Sequence, residues 1–337
     1  MFVESSDDEQ IIERVAALDI GKSEIVCCVG LPAADGGRRR VQEGSTHTTM
    51  VTSLCGLANR LVGLGVQRVV MEATSDYWRP PFYLFEAHGL DPWLVNAKDV
   101  KHLPGRPKTD RLDAVWLCKV AERQMLRPSF VPPADIRRLR DLTRYRADLV
   151  EVRTAEKNRV EKLLEDACLK LSVVASDIFG VSGRAMMAAL IGGERDPKAL
   201  AGLARASLRS KIPRLEEAFA GLRLGTFDDH HRFLLAQMLG RVDAVNVDIA
   251  AVDIQIGNHL APFTDAVARL DEIPGIGPAA ASIIIAEIGL NMSRFPTPGQ
   301  LARGRSSPRG STPPPAKPKA AGRPATGTAT SPASSAR

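Results

Sequence analysis

The sequence is short of cysteine, and what it has is unpaired by spacing. Its 337 residues include five, Cys27, Cys28, Cys55, Cys118 and Cys168, with no Cys-x-x-Cys pair and no histidine cluster beside them. That scatter fits neither a disulfide framework nor a zinc site, and the thiols read as reduced, mostly buried groups of a cytoplasmic protein. No uncharged run approaches the roughly 18 residues a membrane helix needs, so no membrane partner is expected. Residues 1–13 are acidic and lack the basic-then-apolar order of a secretory signal, and they are expected to stay disordered.

A second absence lies at the other end. Residues 302–337 contain no Leu, Ile, Val, Met or aromatic residue and no acid. Such a stretch cannot bury enough apolar surface to fold, so disorder is expected there too. It carries seven basic residues, which more than account for the chain's net charge of +6 and leave the remainder at −1. A nucleic-acid argument for the body must therefore rest on local clusters.

What is present is organised around Lys108-Thr109-Asp110-Arg111-Leu112-Asp113-Ala114, where an extended apolar segment gives way to a helical pattern. Residues three apart share a helix face, so Asp110 and Asp113 can address one ion, and like charges that close are unfavourable without a cation. Taken alone, the pair fits equally a solvated first turn, where Asp suits the helix N-terminus. Upstream, residues 14–21 and 25–31 read as two strands joined by a tight turn, with Asp19 near the end of the first. A third strand is expected at 39–43, and a helix at 48–62 closing at Gly63 or Gly65. Residues 67–74 read as a buried fourth strand carrying Glu72, and a carboxylate there is costly unless paired or metal-bound. A helix at 78–88, a strand at 92–96, a basic loop at 98–108 and a helix to about Gln124 complete a β-β-β-α-β-α-β-α order, hence a mixed sheet with packed helices. Four acids converging from Asp19, Glu72, Asp110 and Asp113 are what a two-metal phosphoryl-transfer site needs, with carboxylates as Mg²⁺ ligands.

The strings Leu18-Asp19-Ile20-Gly21-Lys22, Met71-Glu72-Ala73-Thr74 and the Lys108–Ala114 motif resemble, in order, those of the DEDD insertion-sequence transposases. That family is related to the Piv/MooV invertases. The resemblance covers about residues 14–301. It implies an RNase H-like (RuvC-like) catalytic domain over 14–128, with Asp19, Glu72, Asp110 and Asp113 as catalytic, Mg²⁺-binding residues. It also implies DNA recombination on double-stranded element ends and target, guided by an RNA from the element. Lys108 and Arg111 would lie against nucleic acid.

Residues 134–172 are helical and charge-rich, with apolar residues at three- and four-residue spacings from Ile136 through Val152 to Leu164, a coiled-coil-like hairpin or long arm. Acids interleave its bases, so an ordinary solvated helix competes with a nucleic-acid contact or oligomerisation surface. The more basic N-terminal part, with Arg137, Arg138, Arg140 and Arg144, is the better candidate for phosphate contact. A homo-oligomer, dimer or tetramer, is expected because recombination holds two DNAs. Residues 173–301 form a helical region. In it, Asp228-Asp229-His230-His231 reads as an N-cap followed by surface histidines. Residues 270–290 carry a helix-hairpin-helix signature in which Gly275 and Gly277 allow a tight turn that holds phosphate, against a hairpin that only packs. In the resembling family this segment opens the second, transposase domain.

The composition change at Ala302 fits a basic disordered nucleic-acid tail, but the preferred reading is a frame shift. The family continues with strings like Ser-Ala-Gly-Lys-Thr-Lys and Gly-His-Gly-Asn-Arg-Tyr-Leu-Ala-Ser. Read one base later in GC-biased codons, these give Pro-Pro-Ala-Lys-Pro-Lys and Ala-Thr-Gly-Thr-Ala-Thr-Ser-Pro-Ala-Ser, present at 314–319 and 325–334. The family's nucleophilic serine would then be replaced near Pro314, and Ser306, Ser307 and Ser311 do not match it. A truncated, inactive transposase copy is the expectation. The alternatives are a non-catalytic nucleic-acid-binding remnant, or an actin/hexokinase-like ATPase for which Gly192-Gly193 lacks the needed context.

Overall fold

The computed structural model describes residues 12–33, 40–72, 75–96, 110–295, 297–299 and 301, without the side chains of 110–112. The expectations for the N-terminus before residue 12, for the loop at 98–108 and for 302–337 fall outside these residues. The chain divides at Pro128 into two compact units.

The first unit is built on five strands: β1 (Val15–Ile20), β2 (Glu24–Pro32), β3 (Arg40–Thr48), β4 (Arg68–Glu72) and β5 (Pro92–Val95). Their order across the sheet is β3-β2-β1-β4-β5. The hairpins β1–β2 and β2–β3 are antiparallel, whereas β4 joins β1, and β5 joins β4, in parallel. Gly21 N–H donates to Glu24 O at 2.9 Å and closes the first turn. β1 lies at the centre, and its Val15, Ala16, Ala17 and Leu18 are fully buried. Such a strand reads as a continuous apolar run because both faces are covered.

Helices α1 (Val51–Gly63) and α2 (Arg79–Ala87) follow β3 and β4, and α3 (Asp110–Glu122) precedes the boundary. Helix α3 packs Ala114, Leu117, Cys118 and Ala121 against Val15 and Ala17 of β1, Cys28 of β2 and Val70 of β4. Helix α1 takes the opposite face, where Arg60 reaches Glu43 and Ser45 of β3. The third strand is longer than the sequence suggests and runs to Thr48 instead of 43. It pairs with β2 along its whole length, Glu24 with Thr48 through Pro32 with Arg40.

Helix α3 runs against β1. At its C-terminal end Ile12 N–H donates to Glu122 O at 3.0 Å, and Cys118 lies beside Val15 O. The Glu122 carboxylate is buried and pairs with Arg40 at 3.1 Å. It occupies the space beside Gly30, where any Cβ would collide with its oxygen.

The second unit is helical. Two long helices, α4 (Ala134–Asp166) and α9 (Asp229–Leu260), pair antiparallel. At about 1.5 Å per residue, the 33 residues of α4 span about 50 Å. The pairing is legible in side-chain bonds that descend α9 as they climb α4: Arg146 with Asp253, Arg153 with Asn246, Glu156 with Arg241 and Asp166 with His231. The coiled-coil-like hairpin expected from the spacing therefore closes with a partner helix from the same chain. Val152, counted toward its apolar seam, is 49% exposed and lies off it.

Helices α5 (Leu171–Val174), α6 (Val181–Ile191), α7 (Pro197–Gly202) and α8 (Ile212–Ala218), with 3-10 turns at Ala206–Lys211 and Ala220–Leu224, cover one end of the hairpin. Their core joins Met186, Met187, Leu190, Leu215 and Phe219 to Val160 and Leu164 of α4 and Leu235 of α9. At the other end, α10 (Thr264–Asp271) and α11 (Pro278–Ile288) pack so that Ile285 and Ala286 meet Ile136, Leu139, Ile249 and Ile256. Among the described residues no helix is long and apolar enough to cross a membrane.

Candidate functional site

Strand register fixes where the expected carboxylates stand. Leu18 pairs with Met71, so the same parallel register carried one residue further sets Asp19 beside Glu72. Neighbouring strands are about 4.8 Å apart. Side chains alternate across a strand, so Asp19 shares the face of Val15 and Ala17, and Glu72 that of Val70. Those are the residues covered by α3. Both acids are half-buried, in keeping with a position at the C-terminal end of a core strand.

Asp113 is brought to the same end by the direction of α3. The helix lays its C-terminus against the start of β1, so its first turn points toward the end of β1. Asp113 precedes the fully buried Ala114 and is itself half-buried. Asp110 begins α3, and its side chain lies outside the described residues, as does that of Arg111. Lys108 lies outside them entirely.

The donor set is carboxylate oxygen alone, which suits Mg²⁺ and not zinc or copper. Among the described residues no three His, Cys, Asp or Glu side chains form a group that could hold a metal ion. The elements thus gather Asp19, Glu72 and Asp113 at one end of one face without drawing their described side chains into a ligand cluster.

The arginines of α4 have mixed fates. Arg138 is exposed and Arg137 half-buried. Arg140 donates through Nε to Ala286 O at 3.0 Å and through Nη2 to Glu287 O at 2.6 Å. Arg144 holds the Glu287 carboxylate bidentately. Arg140 and Arg144 therefore put donors into the end of α11, where the negative end of the helix dipole also attracts them. Arg146 is paired with Asp253, which holds its guanidinium above the ordinary value.

Between α10 and α11 the chain makes a short exposed turn. Gly275 adopts φ +89°, a left-handed conformation that favours glycine, and Gly277 is the extended residue before Pro278. A Cβ at either position would meet open space, so backbone conformation and not crowding calls for glycine at 275.

Asp228 caps α9 by accepting His231 N–H at 3.1 Å. His231 departs from the expected surface position. Its ring is 12% exposed and bridges Asp228 at 2.6 Å and Asp166 at 3.2 Å, tying the two long helices together. Cys168 departs in the other direction and is exposed, whereas Cys27, Cys28 and Cys118 are buried. Burial pushes the Cys27 thiol up to about 12 and, with a hydrogen bond to Cys28 as the larger cause, raises Cys118 as well.

Two family models match the chain. One, for DEDD transposases of the IS110 type and described as a transposase, covers residues 16–169. The other, described as the Transposase IS116/IS110/IS902 family, covers residues 267–303. No curated protein matches. The first match takes in β1, β4 and the start of α3 with all four acids, and the second takes in the turn at Gly275.

Proposed function

The chain belongs to the DEDD transposases of the IS110 type, and on that premise we propose that it cuts and joins DNA strands at insertion-sequence ends through Asp19, Glu72, Asp110 and Asp113. The observation that carries this reading is the placement of Asp19 beside Glu72 at the ends of two parallel strands, under the helix whose first turn carries Asp110 and Asp113. The sheet order β3-β2-β1-β4-β5, with the central strand bearing the first acid, supports assigning this unit to the RNase H-like (RuvC-like) class.

Mg²⁺ bound by these carboxylates would neutralise charge at the transferring phosphate and activate the attacking oxygen. The residues themselves have a simpler task. Carboxylates fixed on strand ends and a helix start present several anionic oxygens from rigid supports, so ligand positions are set before any ion arrives. The short turn at Gly275 and Gly277, with the N-terminus of α11 behind it, is the helix-hairpin-helix element of the proposal and would hold a phosphate by backbone N–H groups. A guide RNA and a dimer or tetramer belong to the same proposal. Arg138, exposed on α4, is a phosphate contact of the proposal, whereas Arg140 and Arg144 serve Glu287.

The chain's own state is a second part of the proposal. The second family match stops at residue 303, next to the loss of every large apolar residue after 301. We read 302–337 as out of frame, which leaves a metal site without its serine partner and a protein that binds DNA but does not complete strand exchange. Coding DNA in which no single-base change restores an in-frame Ser-Ala-Gly-Lys-Thr-Lys-like continuation overturns the frame-shift reading. The function is tested by Mg²⁺-dependent cleavage or joining of element-end DNA with its RNA, on this chain and on a frame-restored one. Joining by the restored chain that disappears with Asp19→Asn supports the proposal. Binding without cleavage by both chains favours the non-catalytic remnant, and DNA-independent ATP hydrolysis favours the ATPase alternative.

A further inference from the structure

Residues 198–214 carry five cations, Lys198, Arg205, Arg209, Lys211 and Arg214, and no acid, between Asp196 and Glu216. All five side chains are exposed. Lys211 donates to Val174 O at 3.1 Å. The side chains of Lys198, Arg205, Arg209 and Arg214 make no hydrogen bond or ion pair among the described residues. This is the reverse of α4, where Arg140, Arg144, Arg146 and Arg159 all have carboxylate partners.

The acids that precede the stretch are occupied. Glu194 accepts the backbone N–H groups of Arg195 and Asp196, and Asp196 accepts that of Lys198. Asp177, ahead of α6, accepts Phe179 N–H. Glu216 and Glu217 follow on α8. The cations stand on a fixed platform rather than a loose loop. Leu200, Ala201, Ala204 and Leu215 are buried in the core at this end of the hairpin, and Arg205 N–H is pinned to Ser182 Oγ at 2.9 Å. Ala206 takes a left-handed φ of +52° directly after Arg205, fixing a sharp turn between two cations.

Exposed like charges that lack partners and are held on a rigid support repel one another, and a polyanion relieves that repulsion by counterion release. The stretch contains no aromatic residue, and the nearby Phe219 and Phe227 are buried, so it offers no platform for stacking unpaired bases. Backbone contact to a duplex remains. We propose that residues 198–214 form a second nucleic-acid surface, taking the phosphate backbone of duplex DNA through Lys198, Arg205, Arg209 and Arg214. The choice of DNA among polyanions rests on the function proposed above; the surface itself does not depend on the carboxylates.

The test uses the full chain, with anisotropy of a labelled duplex of about 30 base pairs read across a salt series. Replacing all four residues (K198Q, R205Q, R209Q, R214Q) is expected to weaken binding at least tenfold at about 0.1 M salt. The slope of log affinity against log salt should become shallower by about 3 to 4 units. The charge-preserving set R205K, R209K and R214K is expected to keep the parent slope. All the sites are exposed, so the thermal midpoint should stay at the parent value and exclude misfolding as the cause. Unchanged affinity and slope in the glutamine set overturn the proposal, as does an equal loss in the lysine set. A loss seen with duplex RNA but not duplex DNA overturns the choice of DNA. Asp19→Asn should leave this slope untouched, so failure here and failure of the joining chemistry are read separately.

Discussion

Arg144 grips Glu287 with two parallel hydrogen bonds of 2.9 Å each, joining the first long helix to the last turn of α11. A carboxylate near a helix C-terminus faces the negative end of the dipole and is unfavourable by itself. Arg144 and Arg140 offset that by pairing with the Glu287 carboxylate. Removing the carboxylate takes a bidentate ion pair from Arg144 and a charge partner from Arg140 at a partly buried site. Glu287→Ala is therefore expected to lower stability by about 2 kcal/mol, read as the urea midpoint at constant slope. A change under about 0.5 kcal/mol would show the pair to be a solvated surface contact.

The cap of α9 makes a pH prediction. Asp228 is held below the ordinary carboxylate value, first by the backbone N–H of His231 and then by its side chain. A carboxylate depressed in the folded state stabilises above its unfolded value of 3.8 and loses that contribution as pH falls through the lower folded value. Asp228→Ala should lower the thermal midpoint by a few degrees at neutral pH. The gap from the parent should close below about pH 4. A gap that persists at lower pH means that the carboxylate charge is not what the cap supplies.

Thiol reactivity should follow burial. Cys168 is exposed and sits at a left-handed φ of +57°, while Cys27, Cys28 and Cys118 are buried. With its thiol pushed up to about 12, Cys27 remains protonated at neutral pH and so is a poor nucleophile. Brief alkylation of the native protein, followed by mass spectrometry, should label Cys168 ahead of Cys55. The three sheet-side thiols should label only after denaturation. The folded state binds the Cys27 proton more tightly than the unfolded state does, so this group removes stability as pH rises from its ordinary 9.0 toward 12. Fast native labelling of Cys27 would mean that the sheet opens there.

The carboxylates should separate binding from chemistry. In a frame-restored chain, Asp19→Asn, Glu72→Gln and Asp113→Asn are each expected to cut Mg²⁺-dependent joining by about 100-fold or more while DNA affinity is kept. Retained joining in any one of the three would remove that residue from the proposed set.

The strand and helix order of the first unit was legible because buried strands announce themselves as apolar runs, and Asp19 and Glu72 stood out as acids inside such runs. The third strand runs past its expected end because Arg40–Thr48 is polar, holds Gly44 and takes its structure from pairing with β2, which no local pattern records. The length of α4 followed from periodicity, but its partner comes from residues 229–260, and sequence spacing says nothing of a contact that distant. For the same reason Arg140 and Arg144 read as candidate phosphate contacts, since Glu287 lies more than a hundred residues away. The run without acids at 198–214 was readable in principle. Its charges fall on and beside three short helical segments, so no single helical period announces them.

Gly30 and Glu122 form one unit of inheritance. Glycine at 30 leaves the room in which the Glu122 carboxylate meets Arg40, at the point where α3 ends against the start of β1. A lineage that gains a side chain at 30 must shorten or turn residue 122 in the same step. Doing so takes the carboxylate partner from Arg40 and loosens the far end of the helix whose first turn carries Asp113. Drift at a buried glycine of an inner strand is thus constrained by a carboxylate more than ninety positions away, through the alignment of a helix rather than any contact with the reacting end.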